Sequence, residues 1–174
     1  MDIKVLEPED IEEVKKIFYE SSTVKEFKDQ ETKNQFEWKY LGWYLKNFPE
    51  LFFIASTSES QKKTILGYIA SCPNTLAAKD LIHANPSLEI FIDMYDTFPA
   101  HLHMNLTEKA RGKGTGSLLI QALESNLRMQ GVNGLHLITS PTARNRSFYE
   151  KNLFTVTHER KFKDVPLLFM AKKI

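Results

Sequence analysis

The chain has 174 residues, 42% hydrophobic and 26% charged, with 23 Lys and Arg against 22 Asp and Glu. This length predicts one domain over residues 1–174 that buries roughly 70% of its unfolded surface. A net charge of +1 excludes a strongly basic nucleic-acid binder, and a single cysteine, Cys72, excludes an internal disulfide or a multi-cysteine metal site.

The longest apolar run, Leu51 to Ala55, falls far short of the ~20 residues of a membrane span. The opening Met1-Asp2-Ile3-Lys4 lacks the charged-then-apolar pattern of a secretory signal. Together these features predict a cytoplasmic protein without a membrane partner. Ile3–Leu6 reads as a short strand. Pro8-Glu9-Asp10 suits a first helical turn, and Ile11, Val14 and Phe18 then mark one helix face. Residues 21–32 read as a polar loop. A second helix is predicted over Asn34–Asn47, with Phe36, Tyr40, Tyr44 and Phe48 every four residues and Pro49 at its end. Leu51–Thr57 and Thr64–Ser71 read as a strand hairpin around a polar turn at Ser58–Lys63. Residues 73–98, with Pro73 and Pro86, read as an insertion of one or two short helices.

Ala100–Leu106 is predicted as a strand, Thr107–Lys113 as a basic loop and Gly114–Gln130 as a long helix with Leu119, Leu123 and Leu127 on one stripe. Gly131 and Gly134 end that helix. A strand (Leu135–Thr139), a short helix (Ala143–Lys151) and a closing strand pair (Thr155–Phe162, Pro166–Ala171) complete a mixed α/β pattern.

Three of the seven glycines fall in Arg111-Gly112-Lys113-Gly114-Thr115-Gly116, between a strand and a helix. Glycines let backbone approach a ligand, consecutive N–H groups form an anion nest, and the helix N-terminus adds partial positive charge. With Arg111 and Lys113 alongside, the expected guest is a phosphate or pyrophosphate; the bland alternative is a tight turn with incidental basic residues. The Walker pattern and the dinucleotide fingerprint G-x-G-x-x-G are both absent. No magnesium-binding acid pair accompanies the loop, which speaks against a phosphotransferase.

Arg111-x-x-Gly114-x-Gly116, following a strand and opening a helix, resembles the Q/R-x-x-G-x-G/A signature of the GNAT superfamily of N-acetyltransferases. Downstream, Asn145-Arg146-Ser147-Phe148-Tyr149-Glu150-Lys151-Asn152-Leu153-Phe154 is similar to that family's N-x-x-(A/S)-x-x-F-Y-x-K-x-G-F motif. Pro99 to Leu106 also looks like a subgroup that includes the acetyltransferase-like domain attached to some O-GlcNAcases. The resemblance implies a GNAT-type mixed, mostly antiparallel sheet of six or seven strands flanked by about four helices. It implies that the loop Arg111–Gly116 holds the pyrophosphate of acetyl-coenzyme A, with Gly112, Lys113, Gly114 and Thr115 between. It further implies that Leu102, Met104 and Leu106 present backbone to the pantetheine arm, with the Met104 N–H on the thioester oxygen. Asn145 and Phe148 complete the cofactor set, and Tyr149 is the acid for the leaving thiolate. Glycine is common in the family where this chain has Asn152, the next best residue for the left-handed helix cap expected there, and the subgroup often carries aspartate where it has Asn105.

The residues themselves leave the base open. His101 and His103 alternate onto one strand face and have a suitable pKa, against the bland reading of two satisfied histidines. They form an H-x-H pair without a further ligand at suitable spacing, so no metal is expected. Glu89, Asp93 and Asp96 are rival bases or solvated charges. Eight of the 20 aromatics lie within residues 36–53, predicting helix-on-sheet packing with Trp43 or Tyr44 as candidate lining of an acceptor pocket. Cys72 reads as a small buried apolar residue. The expected activity is acetyl transfer from acetyl-coenzyme A to a small-molecule or peptide amine, in a monomer or homodimer. Asn105 leaves open a non-catalytic acyl-coenzyme A-binding module.

Overall fold

The computed structural model describes residues 1–59 and 62–174, and of Glu59 and Lys62 the backbone alone. Seven strands are hydrogen-bonded in the order β1-β2-β3-β4-β5-β7-β6, in a mixed and mostly antiparallel sheet. They are β1 (Asp2–Val5), β2 (Phe52–Glu59), β3 (Lys62–Cys72), β4 (Ala100–Leu106), β5 (Gly134–Thr139), β6 (Val156–Phe162) and β7 (Val165–Lys173). Six α-helices occur among the described residues, where about four were expected: α1 (Ile11–Ser21), α2 (Gln30–Glu37), α3 (Trp43–Asn47), α4 (Lys79–Ala84), α5 (Thr115–Met129) and α6 (Arg146–Lys151). The predicted turn at Ser58–Lys63 is shorter than expected. Ser58 pairs with Lys63 and Glu59 with Lys62, and its centre, Ser60 and Gln61, lies outside the described residues.

The chain divides into two compact units, Met1–Ser71 with His103–Asn126 and Cys72–Leu102 with Leu127–Ile174. In the first unit, β2 pairs antiparallel with β1 and β3. Ala55 faces Gly67 but Ser56 faces Ile65, so Leu66 is an extra residue, a bulge on β3. Beside it, Gly67 lies against β4: a Cβ there would stand 2.4 Å from Leu106 Cδ2 and 2.6 Å from the Asn105 carbonyl oxygen. Only glycine fits that approach. Val14, Ile17 and Phe18 are the buried stripe of α1.

The second predicted helix begins earlier than expected. Asp29 accepts the Thr32 N–H at 2.8 Å and caps α2 at Gln30, inside the stretch expected as loop. Between α2 and α3 the backbone opens into a π-turn over Trp38–Gly42, with the Trp43 N–H reaching the Trp38 carbonyl. Residues four apart advance 40° beyond a full α-helical turn. The wider turn offsets that drift and keeps Phe36 and Tyr40 in edge contact at 5.0 Å.

In the second unit, β7 lies between β5 and β6 and is antiparallel to both. The insertion forms 3-10 turns at Thr75–Ala77 and Pro86–Met94 around α4. Its Phe91 and Tyr95 join Phe98, Phe169 and Ala171 in one buried cluster. Of the three acids considered as bases there, Glu89 and Asp96 are exposed. Asp93 is taken by Arg160 in a two-pronged pair at 2.5 and 2.7 Å, which holds its carboxyl down at about 2.

At the end of α6, the Phe154 N–H reaches the Tyr149 carbonyl at 3.1 Å and the Leu153 N–H that of Glu150 at 3.0 Å, a Schellman closure. The left-handed residue is Leu153, at φ 69°, and not Asn152, which keeps φ −95°. Asn152 instead donates its side-chain amide to the Phe148 carbonyl at 2.8 Å. A leucine in this conformation pushes Cβ toward the following carbonyl. Leu153 is 67% exposed, so Leu153→Gly sacrifices little packing. Urea unfolding should show a gain of about 0.5–1 kcal/mol; a lower midpoint would mean that this turn is unstrained.

Candidate functional site

The glycine loop belongs to the first unit. β4 stops at Thr107, whose N–H and hydroxyl both bond the bulged Leu66 carbonyl, at 2.9 and 3.0 Å. A 3-10 turn over Glu108–Ala110 follows, with Ala110 buried. The Arg111 N–H is used internally, on the Glu108 carbonyl at 3.2 Å, and its guanidinium donates to the Leu106 carbonyl at 3.3 Å. Gly112 and Gly114 then take φ of 73° and 83°, with open space where their Cβ atoms would stand. The Leu118 N–H bonds the Gly114 carbonyl and α5 begins. Among the described residues, no amide from Gly112 to Gly116 makes a backbone hydrogen bond of normal geometry. Arg111 and Lys113 are exposed, and neither has an ion-pair partner among those residues. The arrangement is a cradle of unused donors beside two exposed cations at a helix N-terminus. It fits a multiply charged anion. Thr115 is buried, its hydroxyl 3.5 Å from Met1 Sδ.

On β4, Leu102 is buried, and Met104 and Leu106 are half-buried. The Leu106 carbonyl also accepts from Ser21 Oγ at 3.3 Å. β4 and β5 run parallel but share a ladder only at Ala100↔Leu135 and His101↔His136.

The two candidate histidines lie on the same strand but in different units. His101 is buried, with Nδ1 2.8 Å from Thr75 Oγ1. That hydroxyl donates to the Pro99 carbonyl at 2.8 Å, so His101 Nδ1 is the donor in the pair. His101 also lies 5.7 Å from the His136 ring. His136 is fully buried, stacked between Tyr95 and Phe169 at 4.8 Å each. Its Nδ1 donates to the Phe98 carbonyl at 2.7 Å, and burial pushes its pKa down to about 3. His103, in the first unit, is half-buried among Phe18, Tyr40, Tyr44 and Tyr68. Burial pushes its pKa down to about 4. The Asn105 side-chain amide lies 3.2 Å from His103 Nε2 and 2.8 Å from the hydroxyl of the buried Tyr68. Tyr68 escaped the sequence reading because only the pairing of strands distant in sequence brings it to Asn105. The sole available signal was an aromatic next to a glycine in a strand.

The remaining predicted residues belong to the second unit. Asn145 is exposed and sits 3.5 Å from Thr139 Oγ1, and its carbonyl accepts the Tyr149 N–H at 3.2 Å. Phe148 is half-buried and Tyr149 buried; the Tyr149 ring lies 5.1 Å from Phe148 and 5.6 Å from Phe154. No hydrogen bond of the Tyr149 hydroxyl occurs among the described residues, and burial raises its pKa above the ordinary phenol value. Cys72 is fully buried, its thiol on the Asn74 carbonyl at 3.3 Å and its pKa pushed up to about 12. That is the inert packing residue expected. Among the described residues no three His, Cys, Asp or Glu side chains cluster as metal ligands. No helix there is long and apolar enough to cross a membrane.

A mixed sheet whose fourth strand leads through a donor-rich glycine loop into the long helix defines an acetyltransferase-type α/β protein. The chain belongs to the acetyltransferase (GNAT) family, whose family model matches residues 11–153. The fold is shared with the crystal structure of SsHAT, at 19% identity and a TM-score of 0.76 over 99% of this chain and 97% of that one. It is also shared with a PaiA N-acetyltransferase from Thermoplasma acidophilum in complex with coenzyme A (17%, TM-score 0.62, covering 99% and 98%). A third similar structure is Chaetomium thermophilum Naa20 in complex with a bisubstrate analogue (18%, TM-score 0.62, covering 100% and 87%).

His136 and His103 are held neutral by the fold with pKa of about 3 and 4, whereas the unfolded chain protonates histidine near 6.5. Their contribution to stability is therefore complete above pH 6.5 and lost as pH falls toward those folded values. As pH falls from 6 to 5, the free energy of unfolding should drop by up to about 1.4 kcal/mol per pH unit for each histidine. Urea midpoints across pH 7 to 5 check this, with His103→Gln flattening the slope. A midpoint independent of pH over that range would contradict it.

Proposed function

We propose that the chain is an acetyl-coenzyme A-dependent N-acetyltransferase that moves an acetyl group to a primary amine by direct attack in a ternary complex. The observation that carries this reading is the run of amides from Gly112 to Gly116, without a backbone partner of normal geometry among the described residues, with the exposed Arg111 before it and the exposed Lys113 within it. A diphosphate supplies the acceptors those donors lack. In this reading Leu102, Met104 and Leu106 offer β4 backbone to the pantetheine arm, and Asn145 and Phe148 complete its binding. When bound, the thioester provides an activated acyl carbon. The Met104 N–H stabilises the charge that develops on its oxygen.

The amine nitrogen forms a bond to that carbon as the carbon–sulfur bond breaks, and two protons must move. Tyr149, kept as a phenol by burial, gives its proton to the departing thiolate. His103, neutral at physiological pH, takes the proton lost by the amine. We assign His101, committed to Thr75, a structural part. A second reading, binding without turnover, draws on Asn105 standing where the subgroup it resembles often has an acid.

Acetyl-coenzyme A should raise the melting temperature while ATP and NAD leave it unchanged; no shift at millimolar ligand would defeat the cofactor assignment. With an amine panel, the wild type should release coenzyme A, and Tyr149→Phe should slow release about 100-fold with little change in KM for acetyl-coenzyme A. Binding without release would favour the second reading.

A further inference from the structure

β4 carries His103 into a cluster of rings drawn from the first unit alone. The imidazole centroid lies 5.9 Å from Tyr40, 6.3 Å from Tyr68 and 6.4 Å from both Phe18 and Tyr44, with Tyr44 stacked at 17°. Phe36 extends this surface from Tyr40. Phe18, Tyr44 and Tyr68 are buried, but His103, Phe36 and Tyr40 are only half-buried. The cluster therefore opens to solvent on the side of Tyr40, whose hydroxyl makes no hydrogen bond among the described residues. Its polar floor is His103 with Asn105 and the Tyr68 hydroxyl, all uncharged at neutral pH.

Charge at the rim narrows what this surface can take. The ammonium group of Lys39 lies over the Tyr40 ring at 4.7 Å, and that of Lys33 over Tyr19, which packs edge-on against Phe18 at 5.1 Å. Glu37 is occupied by the Tyr19 hydroxyl at 2.6 Å and by Lys15 at 3.3 Å, and Glu31 is an exposed acceptor for Gln35. A polyamine or a lysine-rich peptide would bring further cations to a rim that already holds Lys33 and Lys39. An aromatic ring stacks or packs edge-on against the half-exposed rings with no charge to desolvate.

We propose that this surface holds the acceptor, that the acceptor is a primary monoamine carried on a flat aromatic body, and that Tyr40 is a specificity-determining residue. The inference rests on the acetyl-transfer reading, because β4 is the strand that reading aligns with the thioester.

The test compares kcat/KM for 2-phenylethylamine, 1,4-diaminobutane and an Nα-acetyl-lysine amide at saturating acetyl-coenzyme A. The wild type should prefer the aromatic amine at least tenfold. Tyr40→Ala should raise its KM about tenfold, with smaller effects on kcat and on the other two amines. Lys33→Glu combined with Lys39→Glu should raise use of the diamine several-fold. Equal or better use of the diamine or the lysine amide by the wild type overturns the proposal, as does a Tyr40→Ala defect that is the same for all three. Coenzyme A binding is measured by titration on the same samples. If it fails, the acetyl-transfer reading fails with it. If it holds but 2-phenylethylamine neither binds in the presence of coenzyme A nor is acetylated, this inference alone falls.

Discussion

One carbonyl fixes where the glycine loop begins. The extra residue on β3 turns Leu66 so that its oxygen takes both the N–H and the hydroxyl of Thr107, and β4 cannot continue past that clamp. Gly67, next to the bulge, lets β3 approach β4 so closely that any side chain would strike the Asn105 carbonyl. The strand end is thus held from the side, and the following residues must turn through two left-handed glycines before α5 can start. Amides that would otherwise be absorbed by a strand or a helix are left, among the described residues, without a backbone acceptor. The clamp costs no charge, yet the open amides of the loop depend on it.

The same strand shows how neighbours divide the roles of chemically identical side chains. His101 and His103 are two residues apart, so an extended backbone sends both to one face. One is buried beside Thr75 and His136 in one unit; the other is half-buried among tyrosines and phenylalanines of the other. A ring nitrogen committed to a threonine hydroxyl has a fixed tautomer and little freedom. An imidazole bordered by aromatic faces and a side-chain amide stays neutral with no carboxylate to hold it. The Asn105 amide accordingly does its work on His103 without adding charge.

Much of this organisation was legible in the sequence. β4 has the bounds read from its alternation, and the glycine hexapeptide lies between strand and helix as expected. α5 differs from the expected helix by one residue at each end, because Leu119, Leu123 and Leu127 repeat at helical spacing and all three are fully buried. The start of α2 was missed because Asp29 caps it from within a polar stretch that carries no apolar periodicity. The left-handed position at the end of α6 was assigned to Asn152 on residue preference; the backbone places it at the less suited Leu153, one residue on. The partnership of Asn105 with Tyr68 and the capture of Asp93 by Arg160 join residues 37 and 67 positions apart. No local pattern encodes such pairs. The division of one strand between two compact units was equally invisible, since composition does not change along β4.

The π-turn at Trp38–Gly42 has a consequence for how this surface can vary. Such a turn is a helix carrying one residue more than its hydrogen-bond ladder needs, and each residue of an ordinary helix rotates the chain by about 100°. A deletion elsewhere in these helices would turn everything beyond it by that angle, whereas a deletion inside the wide turn removes the surplus residue and leaves Phe36 before it and Tyr44 beyond it on the same face. The segment that carries the ring cluster therefore has one place at which its length can change by a codon without turning its aromatic side away from the sheet.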